Sequence, residues 1–69
     1  MTLREVLAEN LKRHRLATGL SQEELAHRAD IDRTYVSSLE RCQYSATVDM
    51  IEKLARVLGV EAAELLRQP

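Results

Sequence analysis

Apolar positions recur along the chain at helical spacing, and every apolar run is closed by a recognisable stop signal. Leu7, Leu11 and the ring of His14 follow the three- and four-residue steps of a buried stripe, which predicts a first helix over Leu3 to Thr18. Thr2 and Glu5 form a capping box at its start, and Gly19 stands where a left-handed residue is wanted at its end. A second capping box, Ser21 with Glu24, opens a second helix whose inner side carries Leu25, Ala26 and Ala29. The turn Ala29-Asp30-Ile31-Asp32 follows at once. Asp30 tolerates the left-handed conformation, Ile31 plugs the corner, and Asp32 caps what comes next.

The third helix is predicted over about Arg33 to Arg41, with Val36 and Leu39 turned inward. Arg33, Thr34, Ser37, Ser38 and Arg41 populate its other side. Cys42 to Ala46 reads as a loop, and Thr47 as the cap of a fourth helix, with Asp49 at the positive end of its dipole. Val48, Ile51, Leu54, Ala55 and Leu58 line the buried face of that helix, and Gly59 ends it. Val60 acts as a spacer, and Glu61 to Arg67, with Leu65 and Leu66, gives a short fifth helix. No repeat, linker or low-complexity tract interrupts the pattern, so residues 1–69 read as one all-α domain.

The segment Leu20 to Arg41 joins two short helices through a corner too brief for anything but a tight turn. A pair of this shape can place its second member in the major groove of duplex DNA. Composition adjusts that picture only slightly. The chain has 69 residues, no Trp or Phe and two Tyr, so Leu, Val, Ile and Ala must build a small core. A chain this short buries only about 60% of its unfolded surface, and dimerisation is one way to add stability. Ten basic and eleven acidic residues give a net charge of −1. That argues against a highly basic, indiscriminate DNA binder and predicts a moderate salt dependence.

The single Cys42 cannot form an internal disulfide, nor anchor a zinc site with two distant histidines, so no metal is expected. A reducing cytoplasm is the simplest setting. No secretory signal and no membrane-length apolar run is read from the chain. No nucleophile has an adjacent base and no glycine-rich phosphate loop is present, which argues against an enzyme, a cofactor or a small-molecule ligand.

The ordered set GLSQEELA, Ile31, a VSSLE helix and TVDMIEKLARVLGV resembles the helix-turn-helix domain of phage repressors and Cro-like regulators, the XRE family, from about Leu11 to Leu66. The piece DRTYVSSLER is further similar to controller proteins of restriction–modification systems, small dimeric regulators of their own operons. The resemblance implies a five-helix lambda-repressor-like fold with helices 2 and 3 as the DNA-binding pair. It implies a homodimeric transcription regulator acting on a two-fold operator of double-stranded DNA. Antitoxins use the same fold, so a protein-binding module is the alternative reading. The chain departs from the family pattern at Asp30 and Cys42, where Gly (or, at the second position, Asn) is usual. It also departs at Ser45-Ala46, where Asn-Pro is common, and at His14, usually Leu.

Candidate site residues follow. Arg33, near the N-terminus of the third helix, is the main candidate for base readout, because a guanidinium fork matches guanine O6 and N7. The bland alternative is an arginine paired with Asp32 or a phosphate. Thr34 can contact a base or a thymine methyl, Ser38 lies one turn on, and Tyr35 can meet a base edge or phosphate, or sit half-buried with a wet hydroxyl. Gln22, beside the free N–H groups of the second helix, suits a phosphate. Ser37, Arg41 and Gln43 are further backbone contacts. In relatives, the pair matching Arg15 and Glu40 forms an ion pair tying the first helix to the third. Val57, Val60, Leu65 and Leu66 are the candidates for the dimer surface.

Overall fold

The computed structural model describes all 69 residues and contains five helices: α1 (Leu3–Thr18), α2 (Gln22–Ala29), α3 (Arg33–Glu40), α4 (Val48–Leu58) and α5 (Ala62–Leu65). Local chemistry sets their limits. Both capping boxes form: Thr2 Oγ1 accepts from the Glu5 N–H (3.2 Å) while Glu5 accepts from the Thr2 N–H (2.7 Å), and Ser21 with Glu24 does the same at 3.0 and 2.9 Å. The backbone N–H groups of Thr2 and Ser21, foremost, and the side chains beside them hold the carboxyls of Glu5 and Glu24 below the usual glutamate range. Asp32 caps α3 by accepting from the Thr34 N–H at 2.7 Å, and Thr47 caps α4 through the Met50 N–H at 3.0 Å.

α1, α2, α3 and α4 end alike. In each, a left-handed residue donates three residues back and its successor donates five back, the paired bonds of a Schellman motif. The left-handed residues are Gly19, Asp30, Cys42 and Gly59. Their successors Leu20, Ile31 and Val60 pack against the core, whereas the fourth, Gln43, is exposed. Its N–H reaches the Ser38 carbonyl at 2.8 Å. The expected α3 therefore stops at Glu40, one residue early, with Arg41 and Cys42 making the reversal. Helix α5 is also shorter than expected, four residues rather than seven.

Leu7, Leu11, Leu25, Val36, Leu39, Leu54 and Leu65 meet in one core, with Ala26, Ala29 and Ala55 letting the helices approach closely. Val48, expected on the buried face of α4, is 80% exposed because it occupies the first helical position, ahead of the packed turns. Helix α1 buries a wider arc than the Leu7–Leu11–His14 stripe, since it packs on α3, α4 and α5. Asn10 and Arg15 both fall inside that arc, and both are satisfied. His14 is half-buried, with its Nε2 enclosed and without a hydrogen-bond partner.

The Arg15 guanidinium grips Glu40 with two bonds, Nε to Oε2 at 2.6 Å and Nη2 to Oε1 at 3.0 Å, and its Nη1 donates to the Leu20 carbonyl at 2.9 Å. The side chains are 10% and 4% exposed. The bond to Glu40 raises the Arg15 pKa further. Gln22 Nε2 donates to the same Glu40 Oε1 at 3.1 Å. The Glu40 carboxylate thus joins α1 and the start of α2 to the last residue of α3, and the Arg15 guanidinium adds the α1–α2 turn.

Two outcomes test this account. Glu40→Ala strands a buried guanidinium and should cost about 3–5 kcal/mol, read as a melting temperature lowered by roughly 15 °C or more. An unchanged melt would reject the structural role. Cys42→Gly should stabilise the fold by about 0.5–1 kcal/mol, because a residue with a Cβ is strained at φ +60°. A lower melting temperature for that variant would show that the Cys42 side chain contributes more than its backbone strain costs.

Candidate nucleic-acid interface

The turn Asp30–Asp32 sets α3 across α2, and it leaves the first turn of α3 projecting into solvent. Arg33 and Thr34 stand there side by side, both exposed. Hydrogen bonds from the Thr34 backbone and side chain hold the Asp32 carboxyl below its usual range, so the N-cap stays charged. Arg33 shares an open depression, lined by polar and charged residues alone, with Arg15, Ser21, Gln22 and Glu23. The two residues expected to read a base and to grip a phosphate, Arg33 and Gln22, are therefore neighbours.

Gln22 is held rather than loose. One of its amide protons is directed at Glu40, leaving the other free to bond outward. The N–H groups of Gln22 and Glu23, at the positive end of α2, make no bond within the fold. Arg41 is exposed, with Nε lying 3.4 Å from the Ser37 carbonyl, and Ser37 is half-buried. The Gln43 side chain is exposed next to the reversal.

Two of the expected base readers are placed differently. Ser38 is 5% exposed, and the reversal at Cys42 brings the Gln43 N–H back onto its carbonyl, so little of the residue is open on the free side of α3. The Tyr35 hydroxyl donates to the Ser45 carbonyl at 3.2 Å, and its ring packs on that of Tyr44 with centroids 5.8 Å apart and planes tilted by 53°. That hydroxyl is thus tied to the loop that follows α3, at an exposed position. Arg4 completes the cluster by donating to Ser45 Oγ. Arg4 and Asn10 carry no local signal in the sequence, because each acts through a partner distant in the chain, and Tyr44 acts only through the ring of Tyr35.

The residues expected at a dimer surface also divide. Leu65 is fully buried, because it points inward from α5 into the core, and it is not available to a partner. Leu66 is half-buried and lines a small apolar groove with Leu3, Leu7, Ala46 and Ile51. Val57 and Val60 are half-buried where α4 meets α5. No group of three or more His, Cys, Asp or Glu side chains is placed to hold a metal ion, and no helix is long and apolar enough to cross a membrane.

A helix-turn-helix family model (HTH_3) matches residues 11–65. The chain is 49% identical over 67 residues to a protein of Neisseria meningitidis described as a hypothetical transcription factor, covering 97% of this chain and 63% of that protein's length. It is 38% identical over 66 residues to the control protein C.SmaI of Serratia marcescens, covering 96% of this chain and 79% of the relative. Among solved structures, the restriction–modification controller protein C.AhdI of Aeromonas hydrophila superposes with a TM-score of 0.87 at 40% identity, over 90% of this chain and 94% of that one. With the family model spanning most of the chain, and with the α2–turn–α3 geometry matching it, the chain belongs to the helix-turn-helix family of the Cro and phage-repressor (XRE) type.

Proposed function

We propose that the protein is a sequence-specific, double-stranded DNA-binding transcription regulator that works in the cytoplasm as a homodimer on a two-fold operator. The observation that carries this reading is the exposure of Arg33 and Thr34 on the first turn of α3, beside a Gln22 oriented by Glu40. α3 enters the major groove by its N-terminal end. Arg33 reads a guanine edge and Thr34 an adjacent base or thymine methyl. Gln22 and the free N–H groups of α2 grip a phosphate on one side of the groove. Arg41, Gln43 and Ser37 contact the backbone on the other. The names of C.SmaI and C.AhdI as controller proteins support a regulatory role of the same kind.

The partner protomer sits against Val57 and Val60, with the exposed end of α4 beside them. Most proteins using this motif bind half-sites about 34 Å apart, one turn of duplex, and this is the spacing expected of the operator here. The net charge of −1 leaves little non-specific attraction, so selectivity rests on the few contacts named.

Selection of bound duplexes from a random pool, at stated salt, should return a sequence with two-fold symmetry. Arg33→Ala should cost about 1–3 kcal/mol per half-site and relax preference at one base pair, whereas Gln22→Ala should weaken binding almost uniformly across sequences. Unaltered selectivity in the Arg33 variant would overturn the readout assignment. Sedimentation at micromolar concentration should show a dimer that Val60→Glu dissociates; a wild-type monomer would exclude the two-fold arrangement.

A further inference from the structure

The segment between α3 and α4 carries neither glycine nor proline, so its shape must come from its contacts. The Schellman bonds account for the N–H groups of Cys42 and Gln43. Beyond them, the N–H groups of Tyr44, Ser45, Ala46 and Thr47 have no partner in the fold. Free backbone N–H groups can meet an anion where the chain turns, provided the turn is held still. This turn also continues directly from the C-terminal end of the helix assigned to the groove.

Ser45 is what holds it. Tyr35, on α3, donates its hydroxyl to the Ser45 carbonyl at 3.2 Å, and Arg4, on α1, donates to Ser45 Oγ. These are the only side-chain hydrogen bonds made to residues 42–46. They attach the loop to the recognition helix on one side and to the first turn of α1 on the other. The Tyr35–Tyr44 ring contact and the packing of Ala46 in the groove with Leu3 and Ile51 complete the support.

We propose that Arg4 and Tyr35 are positioning residues for DNA binding: through Ser45 they fix the 43–47 loop in the one shape that lets its backbone N–H groups meet a phosphate beside α3. The inference rests on the DNA-binding reading above and deepens it, moving Tyr35 from reading a base to supporting the backbone contact. Neither residue need touch DNA. Each removes loop freedom that binding would otherwise have to remove.

The test uses the full chain with Arg4→Ala, Arg4→Lys and Tyr35→Phe, against the duplex that the wild type selects. Arg4→Ala and Tyr35→Phe should each weaken binding by roughly tenfold. Base preference and the slope of affinity against salt should not change, and the melting temperature should stay at the wild-type value. Backbone 15N relaxation of the free protein should show residues 43–47 loosened in both variants, and Arg4→Lys should restore part of the affinity. Wild-type affinity in both variants would overturn the proposal. A salt slope shallower by about 0.9 per protomer in Arg4→Ala would make Arg4 a direct phosphate contact instead. An altered base preference in Tyr35→Phe would return that residue to base reading. A wild type that selects no duplex would remove the DNA-binding reading itself, an outcome separate from unaffected variants of a wild type that binds.

Discussion

The orientation of α3 depends on the carboxylate of Glu40. An α-helix of two turns has little rigidity of its own and only one narrow apolar edge, here Val36 and Leu39. Hydrophobic contact can hold such a helix against the core, yet it does not fix rotation about the helix axis. The bidentate bond from Arg15 does, because a guanidinium and a carboxylate meet in one plane. The same oxygen that accepts from Arg15 accepts from Gln22, so the start of α2 and the end of α3 are set by one group. Replacing a buried ion pair with apolar residues is often neutral for stability, so its value here lies in placing Arg33, Thr34 and Gln22 relative to one another.

Helix limits were legible in the sequence wherever they rest on neighbours in the chain. Thr2 with Glu5 and Ser21 with Glu24 mark helix starts through bonds spanning three residues. Gly19 and Gly59 mark ends because they sit at φ +77° and +73°. Cys42 disguises an end of the same type, so the sequence pattern carries α3 one residue past its end at Glu40. The apolar character of Val48 suggests burial, although the opening position of a helix lies ahead of the packed turns. The five helices, by contrast, follow from the ordered set of caps, corner and stripes, and the XRE family from the residues that resemble its pattern.

The site was legible only in part, for a physical reason. Arg33, Thr34 and Gln22 announce themselves by type and by position on a short helix. The Arg15–Glu40 pair was suggested by the family resemblance, and its bidentate geometry accords with that suggestion. Ser38 and Leu65 could not be placed from spacing, since their burial depends on where the chain travels after each helix ends. Arg4, Tyr35, Ser45 and Asn10 work through partners that no local pattern records. Polar residues inside the buried arc of α1 are hidden from any periodicity that counts apolar positions alone.

Asn10 shows what such a residue does for the whole domain. It is fully enclosed; its Nδ2 lies 3.3, 3.0 and 2.7 Å from the carbonyls of Glu64, Leu65 and Arg67, and its Oδ1 accepts from Arg13 at 2.8 Å. These acceptors lie 54 to 57 residues away along the chain. The opening helix is thereby stitched to the closing turn, and the loose carbonyls of a four-residue helix find donors that water would otherwise supply. Displacing α5 uncovers the buried Asn10 amide, and displacing α1 leaves those carbonyls without their donor. Melting should therefore be all-or-none, with slowly exchanging amides in α1 protected only by global unfolding rather than by fraying.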